Sequence, residues 1–401
     1  MSAAIPEARD PHPWDDEEHD EDEEAPLLHV SRRTLVAAAI TLAVVIALVV
    51  VVLPKLEGLR STYDRISDGD PWWLALATLF SALSFGGYVA VFKGIYVQSG
   101  EPSSRRIGFA ESYQITMAGL AATRLFAAGG AGGLALTAWA LRRAGMPPRV
   151  VADRTIAFLV LTYVVYVLAI IVGGYGLRWG VFPGAAPFAL TVVPAAAGII
   201  LIAGAGAMTF IPEDIERRFA RWAAGGGRFH RVAARLATVP ATVSEGIRLA
   251  LSHVGRRDPA LLGAVAYWGF NIAILWACFH AFGEPPPVAV LIVAYFVGLL
   301  GNLLPLPGGV GGVDGGMIGA LAGFGVSTSL AVVAVISYRV LAFWLPTLPG
   351  AIAYLQLRRT VTRWREERAA ERAACRATIQ NEVSPQSPTG SATQAWPTSR
   401  T

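Results

Sequence analysis

The chain has 401 residues, 54% of them hydrophobic and 15% charged, with a mean hydropathy of +0.49 and a formal net charge of +4. Several apolar runs exceed the ~20 residues that cross a bilayer, which excludes a soluble enzyme and predicts an all-α, polytopic integral membrane protein. Two cysteines, Cys278 and Cys375, and scattered histidines form no disulfide framework or metal-ligand spacing, so no cofactor and no metal is expected.

Residues 1–24 hold eleven acids, including the run from Asp15 to Glu24, against one base, Arg9. Such a stretch has too few apolar groups to build a core, so residues 1–33 read as a disordered acidic tail. It lacks the basic start of a signal peptide and precedes a full-length span, so no cleaved signal is expected. That first span is Thr34–Leu53, closed by Pro54. A second runs over Pro71–Gln98. Ile107–Phe126 is a third apolar run, stopped by GGAGG at 129–133 and followed by a short run, Leu134–Ala144. Pro148–Gly173 and Pro187–Ile211 are two further spans.

Residues 212–258 form a polar segment with nine arginines. Within it Phe229, Val232, Leu236, Val239, Val243, Ile247 and Leu251 recur at helical spacing, suiting either a helix lying on an anionic leaflet or an ordinary connector. Pro259–Phe282 and Pro286–Leu304 follow. Then GNLLPLPGGVGGVDGG (301–316) breaks the most apolar part of the chain, before a short Val313–Phe324 and a long Ser327–Leu357. Residues 358–401 are arginine-rich, then rich in Ser, Pro and Thr, and read as a tail, helical at first and disordered later. The transmembrane domain is thus 34–357.

Arginine placement orients the spans, because basic loops stay on the cytoplasmic side. Residues 212–258 and 358–376 are expected inside, as are both ends of 107–144, flanked by Arg105, Arg106, Arg142, Arg143 and Arg149. Residues 175–187 and 283–287 carry almost no base and are expected outside, and both termini come out cytoplasmic. On this count 107–144 dips from the inner face and 286–324 from the outer. Each hairpin has a short arm covering only ~18 Å, too little for a ~30 Å core, so both are expected to be broken or re-entrant.

The hairpins also resemble each other: TRLFAAGGAGG (123–133) aligns with NLLPLPGGVGG (302–312). Residues 71–174 and 260–357 therefore read as two inverted-topology repeats with interrupted helices in matching places, the pattern of carriers. Broken backbone at membrane depth leaves polar groups that must be buried in protein or line a polar cavity. Helices restarting near Leu134 and at Val313 or Asp314 would aim free N–H groups and positive dipole ends inward, which suits an anion such as a phosphate. Close glycine-mediated helix packing is the competing reading. Neither stretch has GxGxxG in a strand–helix context, so no dinucleotide site is indicated.

Arg124, Glu111, Lys93, Asp314 and Arg339 fall within or beside apolar runs, where charge is expensive and faces the protein interior. Lys93 is expected to snorkel and Asp314 to cap a helix. Arg339 is the foremost candidate for an anionic partner, either Asp314 or a ligand headgroup, and Arg124 is next. Trp72, Trp73, Trp179 and Trp344 suit interfacial anchoring.

The run PLPGGVGGVDGGMIGALAGFGV, then SYR, then a proline-rich span ending LPG, resembles the C-terminal signature of the lysylphosphatidylglycerol-synthase transmembrane family, the flippase-like membrane proteins. The matching residues are Pro305, Pro307, Gly308, Gly309, Gly311, Asp314, Gly325, Tyr338 and Arg339. The family's acid is usually Glu and is Asp here. The first half lacks the family's proline and has no arginine matching Arg339, Val164 being its nearest equivalent. The resemblance implies a stand-alone flippase-like protein without the soluble synthase domain of fused relatives. It would move an anionic phospholipid or lipid-linked amphiphile between leaflets of a bacterial cell membrane by rocking one repeat against the other. The implied substrate-contact set is Arg124, Gly129, Gly130, Gly132, Gly133, Asn302, Pro305, Pro307, Gly308, Gly309, Gly311, Gly312, Asp314, Tyr338 and Arg339. Membrane lipids are the expected partners and nucleic acid is not; a homo-oligomer or a cell-envelope enzyme stays open as protein partner. The alternatives are a membrane-embedded transferase, which needs an acid–base dyad in one cavity, or a scaffold of lipid or envelope synthesis whose acidic tail recruits a partner.

Overall fold

A computed structural model describes residues 69–98, 100–125, 131–208, 243–256, 258–303 and 311–383. The acidic tail, the span Thr34–Leu53, most of the arginine-rich segment, the centres of both glycine breaks and the final Ser/Pro/Thr stretch lie outside the described residues. Within them the chain is helical and contains no strand. Helices α1 (Pro71–Tyr96), α2 (Phe109–Leu125), α3 (Ala131–Arg143) and α4 (Pro148–Arg178) form the first half. After α5 (Phe188–Met208) come α6 (Pro259–Phe282), α7 (Val288–Leu299), α8 (Gly312–Gly323), α9 (Thr328–Arg339) and α10 (Thr347–Val383). The described residues include five helices long and apolar enough to cross a membrane, α9 and α10 counting as one through a π-helical turn.

Local sequence sets the starts. Asp70 caps α1 by accepting from the Trp72 N–H at 2.9 Å, and Asp258 caps α6 by accepting from the Ala260 N–H at 2.9 Å. Each is followed by a proline at the first helical position, where a missing N–H costs nothing. Burial works against the charge of Asp258, yet the Ala260 N–H and the neighbouring His253 hold its carboxyl below the usual range.

The two capped helices run antiparallel through the centre. The Asp70 N–H donates to the Ala281 carbonyl at 3.0 Å at one end, and Gly94 meets Ala260 at the other. Between them the backbones touch: a Cβ on Gly87 would lie 2.8 Å from the Gly263 carbonyl oxygen. Around this pair the outward surface is apolar, with Leu262 73%, Ile200 72% and Val172 59% exposed. Water would penalise that surface, whereas lipid tails match it.

Several boundaries differ from the sequence expectations. Gly173 does not end α4, which continues to Arg178 because its glycines seat neighbours: a Cβ on Gly174 would fall 2.5 Å from the Thr191 carbonyl oxygen of α5. Helix α3 begins at Ala131 rather than near Leu134, and α8 at Gly312 rather than Val313. The expected span Ser327–Leu357 is not one α-helix. It is divided by the π-helical turn Val340–Trp344, whose Leu345 N–H reaches back to the Val340 carbonyl at 2.8 Å. Beyond it α10 carries the helix expected at the start of the tail to Val383, because Leu357, Val361 and Trp364 continue a buried stripe in the same core as Ile107, Ile115 and Leu136. The helical residues 243–255 pack on α4, with Gly246 against Ile156, which favours the connector reading for that part of the arginine-rich segment.

Candidate functional site

Each short hairpin closes on glycine contacts. In α2–α3 a Cβ on Gly133 would lie 2.0 Å from Thr123 Oγ1 and 2.4 Å from the Gly119 carbonyl oxygen. In α7–α8 a Cβ on Gly301 would lie 2.2 Å from the Gly312 carbonyl oxygen, and one on Gly298 2.7 Å from Met317 Cα. These glycines are backbone packing contacts, as the competing sequence reading held. Gly311 and Gly315 differ, since a Cβ on either meets nothing within 4 Å. Gly311 also has φ +85°, a conformation that L side chains rarely adopt. Gly132 is buried in the first turn of α3, and Asn302 is exposed on the 3-10 turn Leu300–Leu303. Gly129, Gly130, Pro305, Pro307, Gly308 and Gly309 lie outside the described residues.

Asp314 does two things. Its Oδ2 accepts the Gly311 N–H at 3.0 Å, capping α8 from the third helical position. Its Oδ1 lies 2.5 Å from Arg339 Nε, with side chains 23% and 11% exposed. Of the two partners foreseen for Arg339, the structure supplies Asp314. The N-terminus of α8 already holds a carboxylate.

Arg124, at the end of α2, reaches across to the π-helical turn. It donates to the carbonyls of Phe343 and, at 3.1 Å, Ala342, with Thr347 Oγ1 at 3.4 Å. A π-turn misaligns the ladder and leaves carbonyls that need donors at membrane depth. Arg124 supplies two and the Ser81 hydroxyl a third, to Leu341 at 2.9 Å. Both guanidiniums then meet on one ring: Arg124 Cζ lies 4.5 Å and Arg339 Cζ 4.3 Å from the Phe343 centroid. Arg124 also lies 5.5 Å from the Phe85 ring.

Tyr338 sits on a buried hydrogen-bonded chain that fixes the last turn of α9. Its hydroxyl donates to Asn271 Oδ1 at 3.2 Å and shares a 3.0 Å contact with the Tyr295 hydroxyl. Asn271 Nδ2 donates to Ser84 Oγ at 2.6 Å and to the Tyr267 carbonyl at 2.8 Å. Tyr338→Phe is expected to leave Asn271 Oδ1 buried without its donor, a loss of about 1–3 kcal/mol, read as a lower thermal midpoint of the purified protein in detergent. An unchanged midpoint would show that the chain does not hold α9.

The structure therefore joins Arg124 and Arg339 over Phe343, with Asp314 paired to Arg339 and Tyr338 on the adjoining hydrogen-bonded chain. Sequence reasoning missed Ser81, Phe85, Asn271, Tyr295 and Phe343. Asn271 carried a signal, a lone amide inside an apolar span; Phe343 carried none. The remaining charges are peripheral. Lys93 is exposed with Nζ 5.8 Å from the Phe109 ring centroid, in keeping with snorkelling. Glu111 accepts the Gly108 N–H at 3.0 Å and lies 3.6 Å from Arg363. Trp72 and Trp179 are more than two-thirds exposed, while Trp73 packs on Trp276 and His280.

Residues 36–350 match the family model of the lysylphosphatidylglycerol synthase TM region. The chain belongs to this family. Curated relatives are UPF0104 membrane proteins of Methanothermobacter thermautotrophicus, one 34% identical over 100 residues, which is 25% of this chain and 28% of that protein. A second match is 37% identical over 86 residues, 21% of this chain and 26% of the relative. The chain spans only about a quarter of the length of these relatives in the matched stretches. The multi-pass membrane character read from composition holds for the family and for the apolar helices alike.

Proposed function

We propose that this protein is a flippase-type transporter that moves an anionic phospholipid or lipid-linked amphiphile between leaflets. One observation carries the reading. Two guanidiniums, from the ends of α2 and α9, converge on Phe343, with the Asp314 carboxylate paired to Arg339. A site with more cationic than anionic groups at membrane depth is stabilised by an anion, and a phosphate-bearing headgroup is the anion a bilayer supplies. The N-terminus of α8, expected from sequence to cradle that anion, is self-capped by Asp314, so the arginines are its better contact.

The inverted-repeat reading is supported by the glycine pattern. Gly119 and Gly133 stand in α2–α3 at the same sequence spacing as Gly298 and Gly312 in α7–α8, and each hairpin closes on glycine backbone, Gly119 to Gly133 in the first and Gly298 to Gly316 and Gly301 to Gly312 in the second. Hairpin ends support it too: Gly145 lies beside Arg106, while Gly184 is near Pro287 and Gly323 meets Leu190. In this reading, which follows the arginine bias, the first hairpin enters from the cytoplasmic side and the second from the outer side.

The test is lipid movement in proteoliposomes of phosphatidylcholine carrying a trace of fluorescent phosphatidylglycerol, with dithionite added to quench the outer leaflet. The expected result is loss of nearly all fluorescence, against about half in protein-free vesicles, and slower loss with a fluorescent phosphatidylcholine. Equal rates with and without protein, for both lipids, would sink the proposal.

A further inference from the structure

We infer that the π-helical turn Val340–Trp344 is a hinge, and that α10 moves with the first hairpin while α9 stays with the second. This rests on the transport reading but divides the molecule differently, since the unit that joins α10 to the first hairpin would cross the boundary between the sequence halves.

Helix α10 is fastened along the whole length of α2. At membrane depth Arg124 holds the carbonyls of Ala342 and Phe343. About two turns on, Gly350 lets α10 approach so closely that a Cβ would fall 2.8 Å from the Met117 carbonyl oxygen. Further out the Thr360 hydroxyl donates to Gln114 at 2.8 Å, and Trp364 is 1% exposed in the core that contains Ile107 and Ile115. At the far end Arg106 and Glu371 form an ion pair at 2.6 Å. The exposed ion pairs add little alone; the buried Trp364 and the backbone contact make α2, α3 and α10 one body.

Helix α9 is bonded elsewhere. Arg339 is ion-paired to Asp314 of α8, and Tyr338 is tied to Asn271 of α6 and Tyr295 of α7. The turn between α9 and α10 is the weak joint. Its i→i+5 geometry and the following Pro346, Thr347, Leu348 and Pro349 interrupt the regular ladder, and such interruptions are where helices bend. Bending there would separate Arg124, on one body, from Arg339 and Asp314, on the other, with Phe343 in the joint. The site would open as the hinge bends.

Two spin-label pairs test this in a Cys375→Ser background, with the buried Cys278 retained. Arg105→Cys with Arg365→Cys reports within the body; Ser329→Cys, exposed on the first turn of α9, with Arg365→Cys reports across the hinge. In nanodiscs the first pair should give one narrow distance, unchanged between pure phosphatidylcholine and phosphatidylcholine containing phosphatidylglycerol. The second should show two populations whose weights change with phosphatidylglycerol. A second pair that stays single and fixed in both lipids, or a first pair that broadens with it, overturns the hinge. A crosslink between Gln114→Cys and Thr360→Cys should leave transport within about twofold. Loss of transport on crosslinking would overturn this division of bodies and leave the transport reading standing. Absence of transport in the parent protein would instead sink that reading, while the distances still report on the hinge.

Discussion

Arg339→Leu is expected to destabilise the protein and abolish lipid movement, and the two effects are separable. Asp314 and Arg339 are mostly buried, and the carboxylate stands at the start of a helix that begins inside the membrane domain. Removing the guanidinium strands that carboxylate, a loss on the order of 3 kcal/mol for a broken buried pair. The fold should recover much of this in the double variant Arg339→Leu, Asp314→Leu, because replacing both partners of a buried pair by apolar groups is often neutral. Transport should not recover, since the net charge at Phe343 is the same but is then carried by Arg124 alone, whose N–H groups already serve the π-turn, so no guanidinium is left for a headgroup. Melting midpoint and fluorescent-lipid movement on the same preparations separate these outcomes. A double variant that both folds and transports would reduce the pair to a structural bridge and remove Arg339 from the site.

The α-helical membrane fold was legible because its physics is one-dimensional. Length, hydropathy and Asp-Pro or Pro starts locate α1 and α6 within a residue or two. Arg339 and Asp314 were legible because charge in an apolar run must find a partner. The helix ends were less so. Gly173 reads as a stop on a scale that knows only propensity, yet Gly173 and Gly174 let α4 lie against α7 and α5 and so continue the helix. The π-turn left no trace in SYRVLAFW, because its carbonyls are satisfied by Arg124 and Ser81, each more than two hundred residues away in sequence. Phe343 was invisible for the same reason: nothing distinguishes it from any lipid-facing phenylalanine until two guanidiniums from different halves meet over it.

The second large effect divides the glycines of the second hairpin into two classes. Gly301→Leu is expected to prevent folding, because even the first side-chain carbon would stand 2.2 Å from the Gly312 carbonyl oxygen and 2.7 Å from the Val313 nitrogen. Neither atom belongs to a flexible side chain, so α7 and α8 would have to part along their contact. Gly133→Leu should fail likewise, its neighbours being Thr123 and the Gly119 backbone. Overpacking of a well-packed contact costs about 1–3 kcal/mol where the core can adjust, and backbone against backbone leaves little to adjust. Gly315 is the control: it lies one turn after Gly311 on α8, with open space where a Cβ would go. Gly315→Leu should therefore express and melt near the parent, while crowding the side of α8 next to Asp314. If lipid approaches the arginines past that face, Gly315→Leu should lower co-purified phospholipid and slow transport severalfold without lowering the midpoint. Mass spectrometry of bound lipid beside a melting curve decides it. Unchanged lipid content and transport in Gly315→Leu would mean that the open face of α8 is not the way in, and the approach to Phe343 would have to lie on the other side of the hinge.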